Sequence, residues 1–142
     1  MSTAKKNPRM IIAITGTRTY ENRRKIKDTI FQLKEKFGEG LVIVSGGSKD
    51  GTDRYVKKFT LDLGLQYIEY NPAYTNHNLY SALGPGYYGK EYHVTQLHRR
   101  NEMMVKNSDM LICFMDSREK TSGINSAIKA ARRHDKKRII IT

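Results

Sequence analysis

Residues 10–18 of this 142-residue chain read MIIAITGTR, and this stretch decides the fold. Its first five residues form an unbroken apolar run that is rich in β-branched side chains. Such a run is typical of a strand that is buried on both faces, as strands are in parallel sheets covered by helices. The run ends in a polar turn that contains glycine, so the chain is predicted to leave the sheet at residues 15–18.

Strand-like runs and helical patterns alternate along the rest of the chain. Further strands are predicted at 41–44, 65–70, 110–115 and 138–142, and helices at 26–37, 53–63, 93–107 and 122–134. This alternation predicts an α/β, Rossmann-like three-layer sandwich: a parallel five-stranded sheet in the order 3-2-1-4-5 with helices on both faces. No repeat or linker divides the sequence, so residues 1–142 are predicted to form a single domain.

Residues 71–92 interrupt the alternation. This segment carries Gly84-Pro85-Gly86 and five tyrosines, and it shows no sustained hydrophobic period. An inserted, tyrosine-rich loop is predicted here, because long irregular segments inside compact domains are usually functional or disordered, and tyrosines argue against disorder. Two interpretations stay open: the tyrosines close over a flat ligand, or they pack the loop onto its own body.

The formal net charge of +12 is high for a chain of this length. Such a field attracts phosphate groups, so a nucleotide or another phosphate-bearing small molecule is an expected partner and nucleic acid is an alternative one. Solubility alone is the simpler interpretation. No apolar run reaches the roughly 18 residues of a membrane helix, and the N-terminus lacks the apolar centre of a signal peptide. No membrane partner and a cytoplasmic location are predicted.

The cysteine and histidine content argues against a metal site. The single cysteine, Cys113, lies inside an apolar run, which predicts a buried thiol and excludes a disulfide framework within the chain. His77, His93, His98 and His134 show no metal-ligand spacing with acidic partners. Neither a metal nor a cofactor is predicted.

Three loops follow predicted strands and are rich in Gly, Ser and Thr: residues 16–19, 45–53 and 116–123. Ligands of open α/β sheets bind beyond the carboxyl ends of the strands, where the winding reverses; here that point lies between strands 1 and 4. Glycine lets backbone amides approach a phosphate, and a helix N-terminus offers donors and a favourable dipole. Alternatively, these residues only make tight turns and cap helices.

The candidate ligand-binding residues are Gly16, Thr17, Arg18, Ser45, Gly46, Gly47, Asp53, Arg100, Asn101, Ser122 and Gly123. Arg18 is expected to hold a phosphate or carboxylate. Asp53 either accepts a hydrogen bond from a ribose hydroxyl or serves only the start of its helix. Arg18, the paired glycines and the start of the last helix are expected to surround one anion pocket. No Walker A loop or full G-x-G-x-x-G motif is present.

Together these residues resemble the SLOG superfamily, which joins the Smf/DprA proteins and the LOG phosphoribohydrolases. The resemblance spans residues 9–142 and is greatest to the YspA-type branch of bacterial and phage genomes. It rests on the ordered motifs at 16–20, 45–47, 51–54, 72–73, 88–90, 100–101 and 122–123, with Met104 and Asp109. The resemblance implies a Rossmann-like fold, a nucleotide-derived ligand and a homo-oligomer.

The sequence departs from the LOG enzymes at the start of the last helix. Those enzymes carry Gly-Gly-x-Gly-Thr-x-x-Glu, whereas residues 120–127 read KTSGINSA and contain no carboxylate. Cleavage of a glycosidic bond builds positive charge on the sugar, which a carboxylate stabilises. The catalytic residues of any such enzyme therefore stay unassigned, with Asp53, Glu91, Glu102 and Asp116 as alternatives.

Three functions follow in order of preference. The first is binding of a nucleotide or nucleotide-derived phosphate ligand, for sensing or sequestration, at the carboxyl ends of strands 1, 2 and 4. The second is a phosphoribohydrolase-like enzyme that cleaves the N-glycosidic bond of a nucleoside monophosphate. The third is DprA-like binding of single-stranded nucleic acid, in which basic and aromatic side chains track the backbone and stack on the bases.

Overall fold

The computed structural model describes residues 9–17, 19–47, 51–70, 94–116 and 122–142. In this part of the chain five strands alternate with four helices. The strands are β1 (Met10–Gly16), β2 (Leu41–Ser45), β3 (Gln66–Glu69), β4 (Met110–Phe114) and β5 (Lys137–Ile141). The helices are α1 (Arg23–Phe37), α2 (Gly51–Asp62), α3 (Val94–Lys106) and α4 (Ser122–Arg133).

All the strand pairings are parallel, and the order across the sheet is β3-β2-β1-β4-β5. Strand β1 lies in the middle: Ile12 pairs with Ile43 of β2 on one side and with Met110 of β4 on the other. The winding direction reverses between β1 and β4. The predicted fold class and strand order are therefore confirmed. The carboxyl ends of the strands meet at one side of the sheet, called the carboxyl edge below.

Helices cover the sheet on both faces. Because successive side chains of a strand point to opposite faces, Ile12 and Ile14 of β1 belong to one core cluster and Ala13 belongs to the other. The first cluster includes buried residues of α1 and α2, and the second includes buried residues of α3 and α4. The described elements thus form the three layers that the sequence predicts.

Strands β2 and β4 are buried along their whole length and β1 is buried at its centre, but the edge strands are not. Ile139 and Ile140 of β5 are 37% and 50% exposed, and Ile68 of β3 is 40% exposed. The apolar runs of the sequence indicate five buried strands, the fifth of them at an edge of the sheet. Strand β5 does lie at an edge, but neither β3 nor β5 is buried. Each edge strand pairs with a single neighbour in the described part of the sheet, so less of its surface is covered by packing.

Local capping explains several helix boundaries. Helix α1 begins after Asn22, whose side chain accepts a hydrogen bond from the Lys25 amide, and it ends at Gly38 with a φ of 62°. Helix α2 begins two residues before the predicted start at Asp53. Its first turn is anchored from outside the helix, because the Thr52 amide donates to the carbonyl oxygen of Thr17.

Two further expectations concern membrane-spanning helices and metal sites. No described helix is long and apolar enough to cross a membrane. Among the described residues, no three His, Cys, Asp or Glu side chains lie together as a metal site requires. The tyrosine-rich loop predicted at residues 71–92 lies outside the described residues.

Candidate functional site

Thr17 joins three elements at the centre of the carboxyl edge. It is fully buried. Its amide donates to the Phe114 carbonyl at 3.0 Å, and its Oγ1 accepts from the Asp116 amide at 3.1 Å. Its carbonyl oxygen accepts from the Thr52 amide at 3.3 Å and from Thr52 Oγ1 at 3.1 Å. Thr17 therefore ties the end of β1 to the end of β4 and to the start of α2.

Gly16 precedes this junction, and its lack of a side chain lets α2 approach the sheet. A Cβ atom at this position would lie 2.2 Å from Thr52 Oγ1 and 2.5 Å from the Phe114 carbonyl oxygen. Both distances are far below van der Waals contact. The close packing of β1, β4 and α2 thus requires glycine at residue 16, whether or not a ligand also uses it.

Arg100 of α3 reaches the carboxyl ends of β2 and β3. Its Nη1 donates to the Gly46 carbonyl oxygen at 2.8 Å, across a separation of 54 residues, and to the Tyr70 carbonyl oxygen at 3.3 Å. A Cβ atom on Gly46 would lie 2.2 Å from Arg100 Nη1. The structure therefore brings two of the predicted site residues together, and glycine at residue 46 leaves room for the guanidinium group.

Asn101 extends this contact to the last helix. It is 4% exposed, and its Oδ1 accepts from Arg100 Nε at 2.7 Å. Its Nδ2 donates to Ser126 Oγ of α4 at 3.2 Å. Hydrogen bonds thus run from Gly46 through Arg100 and Asn101 to Ser126, and this series is called the Arg100 chain below. It couples the loop after β2 to the first half of α4.

A tyrosine–glutamate pair on β3 lies beside the paired glycines. Tyr67 Oη is 2.6 Å from Ser45 Oγ and donates to Glu69 Oε1 at 3.3 Å, and Glu69 forms an ion pair with Lys57 at 3.2 Å. A Cβ atom on Gly47, whose φ is +75°, would lie 2.4 Å from Glu69 Cδ. Sequence reasoning missed Tyr67 and Glu69, although their spacing of two residues on a predicted strand puts them on one face.

The surroundings of Tyr67 keep its phenol neutral. Burial raises the pKa of Tyr67 far above its usual value, and the carboxylates of Glu69 and Asp53 raise it further, whereas the hydrogen bond with Ser45 opposes them. Asp53 itself is 8% exposed and lies in the first turn of α2, where the helix dipole favours a carboxylate. This position fits the structural interpretation of Asp53 and leaves its ribose interpretation untested.

Other predicted residues are placed differently or not described. Arg18 and Glu91 lie outside the described residues. Ser122 and Gly123 begin α4, and the structure describes the backbone of both residues. Glu102 forms ion pairs with Arg133 and His134 at the far end of α4, away from the carboxyl edge. The common anion pocket expected around Arg18 therefore stays a prediction.

These features define a class: a Rossmann-like, doubly wound α/β protein in which Gly16-Thr17 and Ser45-Gly46-Gly47 end two neighbouring strands at the carboxyl edge. Residues 10–77 match the family model YAcAr, described as the YspA, cpYpsA-related SLOG family. Over these residues the match confirms the predicted resemblance to the SLOG superfamily and its YspA-type branch. A search of curated proteins gave no match.

Proposed function

We propose that the protein binds a nucleotide or nucleotide-derived phosphate ligand in a crevice at the carboxyl ends of β1, β2 and β4, for sensing or sequestration. The winding of the sheet reverses between β1 and β4, and ligands of open α/β sheets bind at such a point. The main support is the Arg100 chain, because it holds a guanidinium group and the Gly46-Gly47 loop at this edge.

The donors for a phosphate are backbone amides in this proposal. Gly46 is buried and Gly47 is partly exposed, and neither carries a side chain that would separate its amide from a phosphate. The first turn of α4 adds the positive dipole end of a helix. Arg18 and Arg100 contribute positive charge, and Asp53 accepts a hydrogen bond from a ribose hydroxyl. Arg100 also acts as a positioning residue, since its Nη1 and Nε are bonded to protein oxygens.

Binding should depend on Arg100 and not on its neighbour. Isothermal titration calorimetry with nucleoside monophosphates, triphosphates, cyclic nucleotides and ADP-ribose is expected to detect a ligand. Arg100→Gln should weaken that binding by about tenfold or more, because hydrogen bonds to charged groups contribute roughly 1.5–3 kcal/mol. Arg99→Gln removes an exposed arginine from the same helix and should leave the affinity unchanged.

Circular dichroism melting of both variants separates loss of binding from loss of fold. Heat release by none of the compounds would overturn the proposal. So would equal affinities for the Arg100 and Arg99 variants when both are folded.

An enzymatic function of the same crevice has one observation in its favour. Asp53 is a buried carboxylate at the carboxyl edge, and Asp116 directly follows the end of β4. Either can supply the carboxylate that residues 120–127 lack. Incubation with nucleoside monophosphates followed by chromatography should then release free base, and Asp53→Asn should abolish the release. Binding without base release would favour the sensing function.

Binding of single-stranded nucleic acid is a third outcome of these experiments. A gel-shift assay would indicate nucleic-acid binding if the measured affinity fell steeply as the salt concentration rose, since release of counterions dominates such binding. Unchanged mobility at low salt would leave the small-molecule ligand as the partner.

A further inference from the structure

A polar cavity lies in the groove between α3 and α4, and Ser126 joins its lining to the Arg100 chain. Its volume is about 430 Å³, and it is lined by His98, Glu102, Asn125, Ser126, Lys129 and Arg133. This cavity is called the α3–α4 pocket below. The lining side chains are polar or charged, which favours an occupant with polar groups.

The charges of the α3–α4 pocket are unevenly paired. Glu102 forms ion pairs with both Arg133 and His134. Lys129 lies one turn before Arg133, and it forms no ion pair with any residue that the structure describes. The pocket therefore holds two permanent cations against one carboxylate, and Lys129 is the cation left for an anion.

His98 also lines the pocket. Its Nδ1 is buried, and no described atom forms a hydrogen bond with it. A buried polar atom without a partner costs free energy, and native proteins satisfy nearly all such atoms with protein, water or a bound group. Ser126 Oγ accepts from Asn101, so its own proton stays available for donation. The lining thus combines a cation with neutral donors.

We propose that the α3–α4 pocket binds the oxyanion of a small molecule, a phosphate or a carboxylate, through Lys129, which lies outside the residues proposed for the crevice. Lys129 supplies the charge, and Ser126 and Asn125 supply neutral hydrogen bonds. A compact oxyanion matches this arrangement because it accepts several hydrogen bonds at once. The site does not depend on the proposed nucleotide function.

Nuclear magnetic resonance titration of the intact protein with inorganic phosphate tests this site, with sodium chloride keeping the ionic strength constant. Saturable amide shifts are expected between Asn125 and Arg133. Lys129→Gln should weaken the apparent affinity by about tenfold, the effect of losing one charged hydrogen bond. Lys106→Gln, at an exposed lysine that ends α3, is the matched control and should leave the shifts unchanged.

A parallel titration with acetate distinguishes the two kinds of oxyanion. Shifts with phosphate alone would indicate a phosphate ligand, and shifts with both phosphate and acetate would indicate that the pocket also accepts a carboxylate. The proposal would be overturned if neither phosphate nor acetate shifted the amide signals. Equal affinities of the Lys129 and Lys106 variants would also overturn it, because anion binding would then depend only on the net charge of the protein. Lys129→Gln should leave nucleotide binding in the crevice unchanged, which separates failure of this site from failure of the crevice.

Discussion

Replacement of Gly16 by alanine is expected to lower the free energy of unfolding by about 3 kcal/mol, because forced overpacking of a tight core costs on this order. The added Cβ would lie 2.5 Å from the Phe114 carbonyl oxygen, a backbone atom that has little freedom to move, and 2.2 Å from Thr52 Oγ1. Relief of these contacts requires that β4 or α2 move away from β1. The hydrogen bonds of Thr17 would lengthen at the same time.

Urea unfolding followed by circular dichroism measures this change, and Gly64→Ala is the matched control. Gly64 has a φ of +71° and no atom within 4 Å of an added Cβ. Its substitution should therefore cost only the backbone strain of a left-handed residue, about 1 kcal/mol. Equal losses in the two variants would contradict the close approach of α2 to β1.

Cys113 is expected to react with a disulfide reagent about 1,000-fold more slowly in the folded protein than in the unfolded chain at pH 8. Burial raises the pKa of the Cys113 thiol from 9.0 to about 12. Because the thiolate is the nucleophile, its population at pH 8 falls from roughly one in ten to one in ten thousand. Steric shielding inside β4 slows the reaction further, since Cys113 is fully buried.

The chain has one cysteine, so the colour released in this reaction reports on Cys113 alone. The rate for the folded protein should still rise above pH 9, whereas the rate in 8 M urea should level off above the thiol's usual pKa. Labelling of the folded protein at the unfolded rate would contradict the central position of β4.

The sequence predicts the centre of the sheet better than its borders. Residues 10–14 and 110–115 are apolar throughout, and this pattern arises where helices cover both faces of a strand. Residues 139–141 are also apolar, yet Ile140 is half exposed. Hydrophobicity along a strand reports what the side chains prefer. The degree to which neighbouring elements cover these side chains depends on the strand order, and a short stretch of sequence does not contain that information.

The candidate site shows the same division. Gly46 and Arg100 stand out in the sequence one by one, but their hydrogen bond joins elements 54 residues apart. The contact of Ser45 with Tyr67 depends on the register of β2 and β3, in which Ser45 pairs with Glu69. A shift by one residue would turn Tyr67 to the other face. Register is set by the packed sheet, so sequence motifs alone did not reveal this pair.

The position of Thr17 has a consequence for how the chain can be divided. The matching family segment, residues 10–77, contains β1, β2 and β3 but not β4. Two of the groups that bind Thr17, the Phe114 carbonyl and the Asp116 amide, belong to the second half of the chain. A truncation after residue 77 would retain every matched residue and still leave the middle strand of the sheet without one of its two neighbours.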